Sequence, residues 1–401
     1  MNEAGNRFKI AFLTYEQAHD KHSHSGSLYY MGKALQRHCG EVTYFERILS
    51  WERRILARIN YEAEKRHLNK WQIAYGRLLF VAKKEAKIAA QRLAGQHFDV
   101  IVAPSSVSAI AFLQTDIPIL LPLDATFRLQ RGYYPAYLHL LAFSARQGEM
   151  LEQAAFQNAT KLLFSSPWAA RSAIEDYGVD PQKVHTIFWG ANLDHIPPRE
   201  QVLAKKLSRQ CRLLFMGVEW QRKGGDIAFE ALLKLEEMGI EAELIVCGSG
   251  PPIGMTHPHM RVIPFLDKND ERQARQIEEL YTISDFLILP TRADCAPNVF
   301  NEANAFGLPV ITAKTGGVAD LVRDGENGYV LPFEARGEAY AQLIADLYRD
   351  EQHYLSLVQS SRAAFEERLN WDVWGHHVHD ILVKECARTG LAATTRYSAT
   401  R

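Results

Sequence analysis

Apolar residues in this chain fall into short punctuated runs separated by longer stretches with three- and four-residue spacing. Residues 9–14 read as a buried strand, and residues 28–39 follow with Leu28, Met31 and Leu35 on one helical face. Strand-like runs recur at 98–103, 118–121, 161–165 and 184–188, then at 212–216, 242–247, 261–265, 285–289, 309–312 and 328–331. Continuous apolar strands alternating with helical segments predict an α/β chain whose parallel sheets are covered on both faces. With 401 residues the chain exceeds the size at which a single core usually stops growing, so two domains are expected. Between 192 and 208 there is no strand or helix signal before Gln201, and Pro197 and Pro198 suit a link. The predicted domains are therefore 1–195 and 196–369, with a frayed tail at 389–401.

Composition narrows the function class. Hydrophobic residues make up 47%, charged residues 23%, and the net charge is −1, which describes an ordinary globular chain and argues against a general nucleic-acid binder. Five scattered cysteines without a Cys-x-x-Cys pair predict neither a disulfide framework nor a zinc site and fit a reducing cytoplasm. The opening residues hold no signal-peptide core, and the most apolar region, 100–123, is interrupted by Pro104, Asp116, Pro118 and Pro122, so no membrane span is expected. There are fifteen histidines, but His376, His377 and His379 make no ligand pattern, and no metal is expected. Residues 51–92 carry eleven Lys or Arg against four Glu. Leu56, Ile59, Leu68, Trp71, Tyr75, Leu78, Leu79 and Val81 interleave with those cations. This pattern predicts amphipathic helices that either show a solvated face or rest on an anionic membrane or an acidic acceptor.

Candidate chemistry is densest between 291 and 317. Asp294 stands in a loop after a predicted strand, and Glu302 follows eight positions later in a helix predicted over 298–306 and closed by Gly307 and Pro309. The amides near Pro297, Asn298 and Val299 should lie free at that helix N-terminus, where an anion can bind. Ionised Asp294 and Glu302 are acceptors suited to hydroxyls; taken singly, they could be a helix cap and a solvated-face residue. A second loop, Gly217-Val-Glu-Trp-Gln-Arg222-Lys223-Gly-Gly, sets two cations between a strand and a helix. It is either a solvated turn or an anion site at the ligand end of the sheet. Cys247-Gly-Ser-Gly250 and Gly316-Gly317 are tight turns where a backbone can approach a ligand. No Gly-x-Gly-x-x-Gly follows the first strand, which argues against a dehydrogenase.

Asp294 to Ile311, with the trailing Glu302-Ala-Asn-Ala-Phe-Gly-Leu-Pro-Val-Ile, resembles the Glu-seven-residues-Glu motif of retaining GT-B glycosyltransferases, especially glycosyltransferase family 4 (group 1). Asp294 stands for the first Glu. The resemblance covers nearly the whole chain and is most specific over 212–330. It implies the GT-B fold: two Rossmann-like domains facing a central cleft, with a C-terminal helix, about 370–388, crossing back to the N-terminal domain. It implies retaining, metal-independent sugar transfer, without cofactor, from a UDP- or GDP-sugar to a glycan, lipid-linked or small-molecule acceptor. The place would be the cytoplasm or the inner face of the membrane.

Site roles follow by position. Arg222 and Lys223 would hold the donor diphosphate, Arg222 replacing the family's Arg because Val218 occupies the usual place. Asp294, with the amides around Pro297, Asn298 and Val299, would meet the sugar and its phosphate, and Glu302 the ribose diol. Gly217 and Gly26 would lie near the diphosphate, Gly26 within Ser23-His-Ser-Gly-Ser27, which reads equally as an N-cap. Backbone at Phe265 and Leu266 would read the base. Asp124 stands where many relatives place a His beside the sugar, or else caps a helix. A nucleotide-sugar-binding regulator or scaffold without turnover, or a GT-B epimerase, is the alternative.

Overall fold

The computed structural model describes residues 7–66 and 72–389; the predicted surface residues Leu68 and Trp71 and the tail from 390 lie outside them. The chain forms two compact units. One comprises Met1–Ser23, Leu28–Ile187 and Trp374–Arg401, the other His24–Ser27 and Phe188–Val373.

The first unit is built on six parallel strands: β1 (Phe8–Leu13), β2 (Gly40–Phe45), β3 (Val100–Val102), β4 (Ile119–Leu123), β5 (Lys161–Phe164) and β6 (Val184–Thr186). Their order is β2-β1-β3-β4-β5-β6, so the winding reverses between β1 and β3. The interior strands β3, β4 and β5 are buried along their whole length, and β1 everywhere but at Lys9, as their apolar runs predict. β2 lies outside the predicted strands, because this edge strand is half-solvated and mixes Glu41 and Thr43 with Val42 and Tyr44.

The second unit holds β7 (Cys211–Met216), β8 (Ala242–Cys247), β9 (Met260–Ile263), β10 (Phe286–Leu289), β11 (Val310–Ala313) and β12 (Gly328–Leu331), again all parallel. The order β12-β11-β10-β7-β8-β9 winds outward from β7, then restarts at β10 on β7's other side. The four side chains of β10 are fully buried. At about 1.5–3 kcal/mol for each large apolar side chain, this burial anchors the sheet's centre. β9 stops earlier than predicted, since Pro264 has no amide to extend the ladder, and Phe265 is left 52% exposed.

The predicted link contains a short helix, Arg199–Leu203, after Pro198. Its first residue, Asn192, is fully buried and tied down: Nδ2 donates to Ser25 O (2.9 Å) and Ser27 Oγ (3.1 Å), and Oδ1 accepts from Trp371 Nε1 (3.0 Å). The last helix, Trp371–Thr389, packs with the first unit from Trp374 onward. There Cys39 Sγ meets Gly375 O (3.6 Å) and Lys161 Nζ pairs with Glu385 (3.3 Å).

Candidate active site

Doubly wound sheets bind ligands beyond the carboxyl ends of the strands where the winding reverses. In the second unit that place lies between β7 and β10, and their pairing brings together loops far apart in sequence. The loop after β7 runs into one helical turn, Trp220–Lys223, and ends at Gly224 with φ +78°. A Cβ at Gly224 would lie 2.2 Å from Pro290 O, so glycine is what lets the two strand ends approach. A Cβ at Gly217 would lie 2.9 Å from Lys223 Cγ, so the bare backbone there accepts the Lys223 stem.

The two loops meet at Asp294. Lys223 Nζ donates to Asp294 Oδ2 at 2.6 Å, and Arg222 Nη1 lies 3.7 Å from Oδ1. Thr291 Oγ1 donates to Oδ2 at 3.0 Å. Arg222 also donates to Ala293 O (2.7 Å), and its Nε and Nη2 reach Glu219 Oε1 (2.9 and 2.7 Å). The side chains of Arg222 and Lys223 are only 15% and 12% exposed, so they are not the solvated cations of a simple turn. Nor does Asp294 cap the next helix. That helix, Asn298–Ala305, starts after Pro297 without a side-chain cap, leaving the Asn298 and Val299 amides ahead of its own ladder.

Glu302 sits inside the same helix and is fully buried rather than on a solvated face. Lys268 Nζ donates to its Oε1 at 2.5 Å and Tyr281 OH to its Oε2 at 2.8 Å. Burial, reinforced by the Glu302 charge, pushes the Tyr281 phenol well above its ordinary pKa, so it remains a donor. Lys268 also donates to Asn192 O at 3.0 Å. Lys268, Tyr281, Thr291 and Glu219 were not among the predicted site residues. Lys268 could have been found as a cation just past the loop expected to read a base; Tyr281 reads from sequence as one more apolar-face residue beside Ile277 and Leu280.

The remaining predicted residues fall around this cluster or away from it. Asn298 Nδ2 donates to Ser27 Oγ (2.8 Å), while its buried Oδ1 has no hydrogen-bond partner among the described residues. Gly26 precedes Ser27 in a left-handed stretch with φ of 46°, 54° and 92° at His24, Ser25 and Gly26. Such a turn is not an ordinary N-cap. Phe265 is exposed and Leu266 half-buried in the loop after β9. Asp124 belongs to the first unit, half-buried at the end of β4. It does not cap the helix Phe127–Gln130, which Thr126 caps, accepting from Leu129 N at 3.4 Å.

A group with metal-ligand chemistry occurs where no spacing pattern announces it. Ligand atoms of Glu236, His257 and His259 lie within 4.8 Å of one another. Glu236 engages both imidazoles, Oε2 at 3.4 Å from His257 Nε2 and Oε1 at 2.6 Å from His259 Nδ1.

Residues 210–350 match the family described as "Glycosyl transferases group 1". Over 250 residues the chain is 26% identical to D-inositol 3-phosphate glycosyltransferase 2 of Catenulispora acidiphila, covering 56% of this chain and 57% of that one. The alignments thus span about half the length of the curated relatives. Sucrose-phosphate synthase from Thermosynechococcus elongatus superposes with a TM-score of 0.67 at 16% identity, over 95% of this chain and 100% of the other. Anabaena Alr3699/HepE, solved with UDP and in another structure with UDP-glucose, gives a TM-score of 0.61 for the UDP complex at 16% identity, over 94% and 100%. At such identities the likeness establishes the fold, which is the GT-B architecture of two parallel six-stranded units.

Proposed function

We propose that this chain, whose residues 210–350 belong to the group 1 glycosyl transferases, is a retaining glycosyltransferase that draws on a nucleoside diphosphate sugar. One observation carries the reading: Lys223 and Arg222 converge on Asp294 at the switch point of the second sheet. A donor diphosphate entering there exchanges with Asp294 for the two cations. Asp294 is then left to accept from sugar hydroxyls, beside the amides of Asn298 and Val299. Glu302 has two oxygens fixed by Lys268 and Tyr281, and a carboxylate retains further acceptor capacity for a ribose diol.

In this reading the sugar C1–O(phosphate) bond breaks, the acceptor oxygen bonds C1 on the same face, and the acceptor's proton passes to an oxygen of the leaving diphosphate. Arg222 and Lys223 act as fixed counterions to the charge that develops on the leaving group, so the reading calls for no metal ion. The UDP and UDP-glucose held by the Anabaena protein favour a uridine donor, with GDP-sugars next. The acceptor is a hydroxyl of a glycan, a lipid-linked sugar or a small molecule.

The enzyme works in the cytoplasm at the surface of an anionic membrane. Helix Trp51–Lys65 exposes Trp51, Ile55 and Ile59 at four-residue spacing, with Arg54 and Arg58 exposed beside them. Leu78 and Val81 of the predicted set are instead buried in the unit's interior. Among the described residues no helix is long and apolar enough to cross a membrane.

A thermal-shift series with UDP-, GDP- and ADP-sugars, on wild type and Glu302→Ala, followed by product analysis, tests the reading. A ligand that binds the folded state raises its melting temperature by mass action. Stabilisation by one donor, its loss in the variant, and sugar transfer with retention are expected. Binding without transfer or donor hydrolysis would make the chain a nucleotide-sugar-binding regulator, and no donor binding at all would end the proposal.

A further inference from the structure

Glu236, His257 and His259 meet on the second unit away from the donor cluster. Glu236 stands in the last turn of helix Gly225–Glu237, and the two histidines lie in the chain just ahead of β9. The donor cluster occupies the carboxyl ends of these parallel strands, so residues preceding β9 lie at the sheet's opposite end.

The backbone holds both histidines in place. His259 O accepts from Leu244 N at 2.9 Å, continuing the β8–β9 ladder, and His257 O accepts from Met260 N at 3.0 Å in a turn. Pro258 between them has its φ fixed by its ring. The Phe229 ring meets the His257 imidazole edge to face, with centroids 6.3 Å apart, and the two imidazoles meet in the same way at 5.6 Å. Glu236 comes from the helix end whose free carbonyls carry partial negative charge, which favours a cation there. Glu236 and His257 are half-buried and His259 is exposed, so an ion can enter from water.

Two imidazoles and a carboxylate form a nitrogen and oxygen set suited to zinc, whereas magnesium and calcium favour oxygen alone. Zinc holds such ligands at about 2.0–2.2 Å, which sets tetrahedral neighbours about 3.4 Å apart. Glu236 Oε2 and His257 Nε2 already stand 3.4 Å apart. Glu236 Oε1 and His259 Nδ1, at 2.6 Å, share a hydrogen that a metal would replace, and they need to open slightly. Each neutral imidazole then carries its hydrogen on the other nitrogen. For His257 this gives up only the contact of Nδ1 with His259 N, a long 3.3 Å bond at an exposed position.

We propose that Glu236, His257 and His259 bind one divalent transition-metal ion, zinc foremost, with water completing the shell. The ion clamps β9 to the helix. β9 is the edge strand of its sheet, four residues long with Arg261 and Val262 exposed, so a tie at its start secures the least protected part of that sheet. An ion so placed takes no part in sugar transfer, and the site stands or falls apart from the transferase reading.

Calorimetric titration of the EDTA-stripped full chain with zinc chloride, and with magnesium chloride beside it, tests the proposal. Melting curves in zinc and in EDTA accompany it, since an ion that binds the folded state raises the melting temperature. The same measurements are made on His257→Gln/His259→Gln, on Glu236→Gln, and on His376→Gln/His377→Gln as a control for other exposed histidines. Wild type and control should bind one zinc and melt several degrees higher with it, and magnesium should not compete. His257→Gln/His259→Gln should bind zinc at least tenfold more weakly and lose the thermal gain, while melting as wild type does in EDTA. If that variant melts lower in EDTA, Glu236→Gln decides, with the same tenfold loss expected. X-ray absorption at the zinc edge should show nitrogen and oxygen neighbours. No saturable zinc binding by wild type, equal binding by the site variants, or sulfur in the zinc shell overturns the proposal.

Discussion

Lys268 Nζ lies 2.5 Å from Glu302 Oε1, and that carboxylate is sealed from solvent while the lysine side chain remains 18% exposed. The asymmetry decides what each mutation costs. Lys268→Ala leaves a buried carboxylate with only the Tyr281 hydroxyl, whereas Glu302→Gln leaves a lysine able to turn toward water. Removing one partner of a buried pair costs about 3–5 kcal/mol when the orphan stays buried, and much less when it can resolvate. Urea unfolding should find Lys268→Ala the more destabilised of the two. Equal losses would mean that the pair adds nothing beyond packing.

Lys223→Ala removes the cation that holds Asp294 at 2.6 Å, yet Thr291 and Arg222 still face that carboxylate. Sugar transfer should fall by roughly 10²–10³-fold, the usual cost of deleting one fixed donor at a developing charge. The melting temperature should move by only a few degrees. Full turnover in the variant, or activity lost only in step with melting, would refute the role given to Lys223.

Lys205 makes a prediction away from the site. Burial lowers its pKa from 10.5 to about 8, Asp285 opposing only in part, and its Nζ has no hydrogen-bond partner among the described residues. The folded state therefore disfavours the charged amine that the unfolded chain carries up to pH 10.5. The penalty is complete below pH 8 and fades as pH rises toward 10.5. Lys205→Met should stabilise the protein at pH 7 by about 1–2 kcal/mol, below the full linkage value because the residue as a whole is only half-buried. The gain over wild type should shrink between pH 8 and 10.5, and a gain that is flat with pH would show that titration is not its source.

What the sequence disclosed and what it hid divide along physical lines. Phe286–Leu289 and its parallel partners were legible because strands buried on both faces must be apolar throughout. β2 was not, because a half-solvated edge needs no such run. Arg222, Lys223 and Asp294 could each be picked out from local loop chemistry, but their meeting follows from strand order, which pairs β7 with β10 and so brings Lys223 to Asp294 across 71 residues. Lys268 and Tyr281 reach Glu302 from 34 and 21 residues away, through packing that no local pattern encodes. Thr126 displaced Asp124 as a cap for a simpler reason: the helix starts three residues after the acid, so its N-cap position falls on Thr126.

Trp51, Ile55 and Ile59 are 65%, 49% and 53% exposed on one stripe of helix Trp51–Lys65, and Lys84 Nζ lies 5.5 Å from the Trp51 ring centroid. An apolar stripe edged by cations gains doubly at an anionic bilayer, through burial of the rings and branched chains and through attraction that salt screens. Trp51→Ser/Ile55→Ser/Ile59→Ser removes the first term and spares the charges. At about 1.5–3 kcal/mol for a fully buried side chain, even partial insertion of three predicts at least a 10²-fold loss of vesicle binding. Co-sedimentation with phosphatidylglycerol vesicles at low and high salt checks this. Retention of vesicle binding by the triple variant would assign the contact to charge alone, and absence of binding by wild type would return the stripe to solvent.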